Sequence, residues 1–242
     1  MRVKLSEVTV LIMKTLSGYN KEKFTELRTD LRESRLQKAA KLILEEPPGC
    51  LLDIGCGSGN FAARFTESGY TVYGIDLTAD QIETAKRNGV IALVHDLNSG
   101  HLPFDGSSFD TIFAGEIIEH LVDTSSFLRE IYRVLRPGGC TILTTPNLAS
   151  FENRIRLLFG FYPIWLEYRL EGGQGHVRAY TLRTMRRHLR EYGFKIERIV
   201  GNWVPFLPQK FIDDIRMPVI AVTGNWFPSL AMDLVIKARK PI

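Results

Sequence analysis

The chain has little cysteine, and its cysteines form no pattern that predicts a disulfide framework or a Cys-based metal site. The three are Cys50, Cys56 and Cys140, an odd number without a C-x-x-C pair. Such usage is typical of free thiols in a reducing compartment. It favours a cytoplasmic protein over a disulfide-stabilised secreted one.

Long hydrophobic runs are also missing. No uninterrupted apolar stretch reaches the roughly 18 residues that a membrane-spanning helix needs. Near the start, Lys4, Glu7 and Lys14 interrupt the apolar residues, which is unlike a signal peptide. We therefore expect neither a transmembrane segment nor a secretion signal.

The chain also has no large excess of positive or negative charge. The net charge is only +4 over 242 residues, which is too small to predict a nucleic-acid-binding protein. Hydrophobic residues make up 45% and charged residues 24%, as in ordinary globular proteins. A chain of this length can bury one sizeable core, so one domain with additions is the simplest organisation.

Apolar runs and helical patterns alternate along the chain. The patterns predict helices near residues 34–46, 59–68, 78–87, 124–135 and 181–192. They predict strands near residues 50–54, 72–75, 90–94, 109–114, 140–144, 194–200 and 231–238. This alternation indicates an α/β fold with a doubly wound, mostly parallel sheet. The last two strands lack the spacing of parallel neighbours, so we expect an antiparallel pair at one edge.

Three segments stand outside this alternation. We expect residues 1–33 to form an N-terminal helical cap on a main domain of residues 34–242, with lid-like insertions at 146–180 and 202–230. The two insertions are rich in aromatic residues and proline. Segments of this length are usually lids, binding elements or subunit contacts, so a homodimer is left open. Ordinary core packing of the aromatics is the alternative, and a surface that touches a membrane or a partner is a third.

The residues 51–59, Leu-Leu-Asp-Ile-Gly-Cys-Gly-Ser-Gly, are the strongest indication of function. Apolar residues lead into Asp53, as at the end of a buried parallel strand. Gly55, Gly57 and Gly59 then allow a tight turn against which a ligand can lie. Because ligands bind at strand ends in doubly wound sheets, this turn predicts a site for a small polar cofactor.

Asp76 ends the next predicted strand, one strand–helix–strand step later. A carboxylate at this point can accept hydrogen bonds from both hydroxyls of a ribose. It could instead cap the following helix, but Thr78 is better placed for that. The spacing D-x-G-x-G-x-G differs from the G-x-G-x-x-G of nicotinamide and flavin turns, which disfavours a dehydrogenase.

The glycine turn resembles the first motif of the class I S-adenosylmethionine-dependent methyltransferases, and further motifs follow in that family's order. They are the acidic end of the second strand, His95-Asp96-Leu97, residues 108–112 and residues 135–139. The resemblance covers roughly residues 35–200. It implies a Rossmann-like fold with seven strands that ends in an antiparallel C-terminal hairpin.

The same resemblance implies where S-adenosylmethionine binds. It assigns the methionine end to the glycine turn, the ribose to the end of the second strand and the adenine to the loop after the third. The implied cofactor-binding residues are Asp53, Gly55, Cys56, Gly57, Gly59, Asp76, Leu77, Asp96, Leu97 and Glu116.

Glu116, Glu119 and His120 follow the fourth predicted strand, so they are expected at the mouth of the site. At spacings of three and four residues they would share one face of a helical turn. Two carboxylates and an imidazole are suitable ligands for a divalent metal. The E-x-x-E-H string is similar to one in the ubiquinone-biosynthesis O-methyltransferases, the closest group by motif, and to one in the small-RNA terminal 2′-O-methyltransferases.

In the RNA enzymes this string binds a divalent metal together with a later histidine, for which His176 is the candidate here. Two alternatives stay open. The group could contact the substrate without a metal, with His120 or His176 as the general base, or the histidines could be structural. His95, His101 and His188 are expected to be loop and surface residues.

The predicted function is S-adenosylmethionine-dependent methyl transfer to a hydroxyl group of a small molecule or glycan, with Glu116, Glu119, His120 and His176 facing the acceptor. The chain lacks the RNA enzymes' aromatic-rich stretch and separate RNA-binding domain, and also the N-P-P-[FY] signature of base N-methyltransferases. These absences disfavour nucleic acid as a partner. A metal-dependent RNA ribose 2′-O-methyltransferase and a non-catalytic cofactor-binding subunit are the alternatives.

Overall fold

The computed structural model describes residues 34–166, 175–206 and 217–242, with only the backbone described for residues 217–221. The predicted helical cap at residues 1–33 therefore lies outside the described residues. The strands are β1 (Cys50–Ile54), β2 (Thr71–Asp76), β3 (Ile91–Val94), β4 (Phe109–Gly115), β5 (Leu135–Pro146), β6 (Lys195–Gly201) and β7 (Asp233–Arg239). They form one sheet in the order β3-β2-β1-β4-β5-β7-β6.

Six α-helices are described together with this sheet. They are α1 (Ser34–Leu44), α2 (Ala79–Arg87), α3 (Thr124–Val134), α4 (Phe151–Leu158), α5 (Leu182–Glu191) and α6 (Met217–Trp226). Short 3₁₀ helices occur at Ala62–Phe65, Leu97–Ser99 and Ile118–His120. In this part of the chain no helix is long and apolar enough to cross a membrane.

The order of the strands places a functional site near β1. Strand β2 pairs with one side of β1, and β3 pairs with β2. The chain then returns, and β4 pairs with the other side of β1. All four of these strands, and β5, run parallel. The carboxyl ends of β1 and β4 therefore flank the point where the strand order reverses, which is where such folds bind ligands.

The C-terminal edge of the sheet is antiparallel, as the sequence predicted. Strand β7 lies between β5 and β6 and pairs antiparallel with both. The registers align Cys140 and Lys195 with Arg239 from opposite sides. The predicted α/β, doubly wound, seven-stranded and mostly parallel sheet with an antiparallel C-terminal hairpin is confirmed.

Alternating side chains of the strands divide the core into two layers. Leu52 of β1 packs in one layer with residues of α3 and α5, including Ile131 and Leu189. Its neighbour Leu51 packs in the other layer with residues of α1 and α2, such as Ile43. Both faces of the sheet are thus covered by helices, which explains the nearly continuous apolar composition of the parallel strands.

Helix α1 is held against the C-terminal part of the sheet by charged groups. Lys38 Nζ donates to the backbone oxygens of Gly201 and Asn202, at 2.5 and 2.7 Å. Glu46, just beyond the helix, forms ion pairs with Lys237 at 2.6 Å and with Arg239 at 2.7 Å. These contacts fix the direction of α1, whose first turn reaches the carboxyl edge of the sheet.

Two predicted elements differ from the observed ones. Instead of a helix over residues 59–68, the structure has turns and the 3₁₀ helix Ala62–Phe65. Gly57 and Gly59 have positive φ angles of 51° and 74°, so the turn extends through Gly59 and a helix cannot begin at that residue. Strand β5 is longer than the predicted residues 140–144, because Leu135 already pairs with Phe109 before a register shift.

Candidate active site

The glycine turn follows β1 and leaves the backbone open to a cavity. Its amides at Gly55 and Cys56 donate to the carbonyl oxygen of Ile75 on β2, at 2.8 and 3.0 Å. Gly55 has a φ of 76°, and a Cβ atom there would clash with Ile117 Cδ1, so any other residue would be strained and would displace that side chain. At Gly57 the nearest described atom to a Cβ would be Gln81 Oε1 at 3.9 Å, so that side of the turn faces open space.

This open space is the strand-end cavity, which lies across the carboxyl ends of β1, β2 and β4. Apolar walls are contributed by Phe61, Phe113, Ile117 and Leu121. The polar and backbone lining consists of Arg35, Asp53, Gly55, Cys56, Gly57, Asp76, Leu77, His95, Asp96, Leu97, Asn98, Glu116 and His120. Nine of the ten predicted cofactor-binding residues are in this lining.

The tenth, Gly59, lies behind the turn. With a φ of 74°, its missing Cβ would lie 3.0 Å from both Ala85 Cβ and Val90 Cγ2. It therefore allows α2 to pack closely against the turn. Cys56 faces the cavity but is buried, and burial raises the pKa of its thiol.

Asp76 connects the turn with the end of β2. Its Oδ2 accepts a hydrogen bond from the Gly57 amide and its Oδ1 accepts one from the Thr78 amide, both at 2.9 Å. Each carboxylate oxygen can accept a further bond, which suits the two hydroxyls of a ribose. Thr78 stands at the N-cap of α2 as predicted, but its side chain makes no capping hydrogen bond in the described structure.

The far end of the cavity is formed by the loop after β3. Asp96 Oδ1 accepts a hydrogen bond from the Asn98 amide at 2.9 Å and so caps the 3₁₀ helix Leu97–Ser99. His95 lies in this loop, as predicted, but it is partly buried and lines the cavity instead of being a surface residue. His101 is exposed beside Glu130, whereas His188 is partly buried and hydrogen-bonded to the Tyr180 hydroxyl.

Burial dominates the electrostatics of Asp53. Its side chain is 3% exposed at the floor of the cavity. Desolvation, with a smaller contribution from the charge of Asp76, raises the pKa of Asp53 to about 8. The carboxyl is therefore largely protonated near neutral pH and can donate a hydrogen bond into the cavity floor.

Arg35 is a site residue that the sequence analysis missed. Its guanidinium Nη1 lies 3.2 Å from Glu116 Oε2, while Glu116 Oε1 accepts a hydrogen bond from the Thr144 hydroxyl at 2.9 Å. The backbone of Glu116 is left-handed, with a φ of 55°, and turns its side chain toward Arg35 and the cavity. A cationic and an anionic side chain thus lie next to each other at the end of the cavity that is nearest the glycine turn.

Beyond this pair, Glu119, His120 and His176 form a buried group that we call the histidine cluster. One ligand-type atom of each residue lies within 4.8 Å of those of the other two. The rings of His120 and His176 meet edge to face with their centroids 4.7 Å apart. The sequence predicted these three together with Glu116, but the left-handed turn at Glu116 directs that carboxylate to Arg35 instead.

Backbone carbonyls orient both imidazoles of the histidine cluster. His120 Nδ1 lies 3.1 Å from the Gly175 oxygen, and His176 Nδ1 lies 2.6 Å from the Trp165 oxygen. A carbonyl oxygen can only accept, so each Nδ1 carries the hydrogen and each Nε2 is left as the ligand atom. Metal-binding histidines are typically held in this way.

Glu119 has an unusual environment for a carboxylate. Its Oε2 accepts a hydrogen bond from the Thr145 hydroxyl at 3.1 Å, but its buried Oε1 has no hydrogen-bond partner among the described residues. Burial and the neighbouring Glu116 charge raise the pKa of Glu119 well above its ordinary value. Burial and the nearby His176 lower the pKa of His120 to about 3, so its imidazole is neutral.

His176 reaches the cluster because the chain pairs with Glu119 on its way back to the sheet. The amides of Val177 and Arg178 donate to the Glu119 carbonyl oxygen at 2.9 and 3.0 Å. His120 lines the strand-end cavity as well, so the cavity and the cluster share a wall. A small recess on the other side of the cluster is lined by Asn147, Trp165 and His176.

An open cavity at a topological switch point, with a glycine turn and an acidic strand end, defines a nucleoside-cofactor site in a doubly wound α/β protein. A family model described as "Methyltransferase domain" matches residues 23–199. Since this is well over half of the chain, the chain belongs to that family, and the recognition made from the sequence motifs is confirmed.

Individual relatives agree with this assignment. The chain is 34% identical over 161 residues to a 27-O-demethylrifamycin SV methyltransferase of Amycolatopsis mediterranei, covering 61% of this chain and 54% of the relative. It is 33% identical over 108 residues to a ubiquinone biosynthesis O-methyltransferase of Bradyrhizobium, covering 40% of each. The chain thus spans about half the length of the curated relatives it matches.

A solved structure supports the fold. A S-adenosylmethionine-dependent methyltransferase of Thermotoga maritima aligns with a TM-score of 0.63 and 24% identity, covering 86% of this chain and 88% of that one. At this identity the likeness concerns the fold. The family assignment supports S-adenosylmethionine as the cofactor class.

Proposed function

We propose that this protein is a S-adenosylmethionine-dependent methyltransferase that methylates a hydroxyl group of a small molecule or glycan. The histidine cluster supports the acceptor part of this proposal, because its member His120 also lines the strand-end cavity. A hydroxyl held at the cluster would therefore lie next to the cofactor. When bound, S-adenosylmethionine supplies an electrophilic methyl group on its sulfonium sulfur.

The strand-end cavity fits this cofactor along its length. Arg35 and Glu116 are complementary to the carboxylate and the ammonium group of a zwitterionic methionine end. Asp76, already fixed by the Gly57 and Thr78 amides, is suited to the ribose hydroxyls. Asp96 and the Leu97 amide stand where the adenine would lie. The open face of Gly57 gives the cofactor room to lie against the backbone.

The histidine cluster fits a divalent metal. Two imidazoles with oriented Nε2 atoms and a buried carboxylate oxygen without a described partner are a donor set typical of transition metals. A metal bound there would supply Lewis acidity toward an acceptor hydroxyl. Thr145 and the two carbonyl partners would keep the ligands in position.

The remaining contribution of the chain is to orient the cofactor and the acceptor and to remove water from around them. Phe61, Phe113, Ile117 and Leu121 form apolar walls around the cavity, which keep water from the transferred methyl group. The shared wall at His120 brings the acceptor and the cofactor together, and such positioning supplies much of the catalysis in group transfer. If no metal is bound, His120, which lines the strand-end cavity, or His176 beside it would accept the hydroxyl proton.

Calorimetry tests the two sites separately. We expect the protein to bind S-adenosylhomocysteine and not NAD, and to bind Mn²⁺. Glu119→Gln and His176→Ala should abolish Mn²⁺ binding but retain S-adenosylhomocysteine binding. The matched control is His101→Ala, which removes an exposed histidine outside the cluster. Equal Mn²⁺ binding by all variants would refute the metal site.

A transfer assay tests the acceptor. A donor with a tritiated methyl group should label hydroxyl compounds in a panel of phenols, sugars, lipids and RNA, and chelation should reduce the labelling. Activity that survives exhaustive chelation and is not raised by Mg²⁺ or Mn²⁺ would remove the metal from the proposal. Methylation only of RNA, nitrogen or carbon would refute the small-molecule hydroxyl.

A further inference from the structure

One surface has a composition that the methyltransferase site does not require. A groove between α4, α5 and the turn after α6 is lined by five arginines, which we call the arginine groove: Arg154, Arg183, Arg186, Arg187 and Arg190. All five are exposed, and the acidic residue in the described lining is Glu191, which pairs with Arg187 at 2.7 Å. The groove therefore carries a concentrated positive charge.

Exposed apolar side chains occur at and just after the ends of α4 and α6, next to elements that border this groove. At the end of α4, Leu158 is 74% and Phe159 70% exposed, and Phe161 follows at 62%. At the end of α6, Trp226 is 71% and Phe227 49% exposed. We call these five residues the apolar rim. Large exposed apolar groups concentrated in one region mark interaction sites.

Contacts between the elements bring the groove close to Leu158 and Phe227 of the rim. Arg154 donates to the Ser229 oxygen at 3.3 Å, which brings α4 to the turn that follows Trp226 and Phe227. Leu158 lies one helical turn after Arg154, on the same side of α4. The Phe206 ring lies between Phe151 and Phe227, with centroid distances of 5.4 and 6.3 Å.

We propose that this face docks the protein onto an anionic lipid surface. Arginines attract the headgroups of anionic lipids, while aromatic and leucine side chains insert between headgroups and acyl chains. A polyanion in water, such as RNA, would satisfy the arginines but would leave Leu158 exposed. The combination of charge and apolar rim therefore favours a membrane over nucleic acid.

The face is also close to the acceptor side of the molecule. Asn147 Nδ2 donates to the Ser229 oxygen in the groove lining at 3.1 Å. The same Asn147 lines the small recess that contains Glu119 and His176. Docking through the arginine groove would bring this recess near the lipid surface. The proposal itself requires neither the metal nor the hydroxyl acceptor.

The test is co-sedimentation of the full chain with vesicles of phosphatidylcholine alone or mixed equally with phosphatidylglycerol. We expect binding to the mixed vesicles that weakens with added salt. Arg183→Glu with Arg186→Glu should weaken the binding by about tenfold or more. The matched control, Lys86→Glu with Arg87→Glu on α2, makes the same change in net charge and should bind nearly as well as the wild type.

The apolar rim is tested by Leu158→Ser with Trp226→Ser, which should also reduce vesicle binding. Its control is Leu44→Ser with Ile91→Ser, two residues that are about half exposed elsewhere. S-adenosylhomocysteine binding should be unchanged in every variant, which shows that each folds and separates this proposal from the proposed function. Absence of vesicle binding, equal loss in the controls, or binding to single-stranded RNA alone would overturn the proposal.

Discussion

The carbonyl oxygen of Trp165 lies 2.6 Å from His176 Nδ1, and Trp165 has a left-handed backbone with a φ of 64°. The backbone of one residue in an unfavourable conformation thus fixes the ring of another. Because tryptophan reaches this conformation only at a cost, surrounding structure must hold it there. The indole itself is not the group that contacts the His176 nitrogen.

This relationship predicts that the backbone conformation at position 165 matters more for metal binding than the side chain. Trp165→Gly should keep Mn²⁺ affinity close to that of the wild type, since glycine adopts a positive φ freely. Trp165→Val should lower it by roughly 10-fold or more, because a β-branched residue resists that conformation and loss of such an orienting contact has this effect. Calorimetry with Mn²⁺ measures both; a larger loss in the glycine variant would contradict the prediction.

The two glycines Gly57 and Gly59 should separate cofactor binding from stability. Gly57→Ala adds a methyl group on the cavity side, so we expect S-adenosylhomocysteine affinity to fall sharply and stability to fall by about 1 kcal/mol. Gly59→Ala presses against Ala85 and Val90, so we expect a loss of roughly 2–3 kcal/mol of stability. The folded Gly59→Ala variant should bind S-adenosylhomocysteine with nearly the affinity of the wild type. Chemical unfolding and calorimetry distinguish the two, and the reverse pattern would refute both assignments.

Asp76 should be essential for cofactor binding. Asp76→Ala removes the proposed ribose acceptor and should abolish S-adenosylhomocysteine binding measured by calorimetry. It also leaves the Gly57 and Thr78 amides without their acceptor, at a cost of about 1–3 kcal/mol in stability. Asp76→Asn retains one acceptor oxygen and should bind weakly. Unchanged affinity in a folded Asp76→Ala variant would exclude the ribose role.

Asp53 should make stability depend on pH. Its pKa is about 8 in the folded protein against an ordinary value of 3.8, so the folded state retains a proton that the unfolded chain releases. Stability from this group is complete in acid and declines as the pH rises from about 4 to about 8. Asp53→Asn should therefore become more stable than the wild type as the pH rises, by something on the order of a few kcal/mol.

Urea unfolding across that pH range measures this difference. Asp80→Asn, a change of the same chemistry at an exposed position on α2, is the matched control. If the stability difference between Asp53→Asn and the wild type did not change with pH, the assignment of a protonated, buried carboxyl group to Asp53 would be wrong.

Much of the fold could be predicted because its signals are local. The glycine turn, the acidic end of β2 and the alternation of strands with helices each occupy a few neighbouring residues. The 3₁₀ helix at Ala62–Phe65 was not predicted, because the apolar spacing of a short helix resembles that of a long one. The positive φ of Gly59, which excludes a helix that begins at this residue, cannot be recognised from composition alone.

The site was less accessible from the sequence, for physical reasons. Arg35 lies in an ordinary amphipathic helix, and the long-range contacts of Lys38 and Glu46 with the C-terminal part of the sheet direct this helix to the cavity. Glu116 was assigned to one face with Glu119 and His120 on the assumption of a regular helical turn. Its positive φ breaks that turn. His176 was found only through the family resemblance, since its approach to Glu119 depends on long-range backbone pairing.

Under the proposed function, the left-handed bend at Glu116 has a consequence for changing the methyl acceptor. The five residues that directly follow β4 contain the ion-pair partner of Arg35 at one end and two members of the histidine cluster at the other. A substitution in this loop would alter the donor and acceptor compartments together. New acceptor scope should therefore be sought by varying residues 146–166 and 177–180, leaving the loop after β4, His176 and its Trp165 contact unchanged. Libraries built on that division would keep the methyl donor constant while the pocket for its recipient is redesigned.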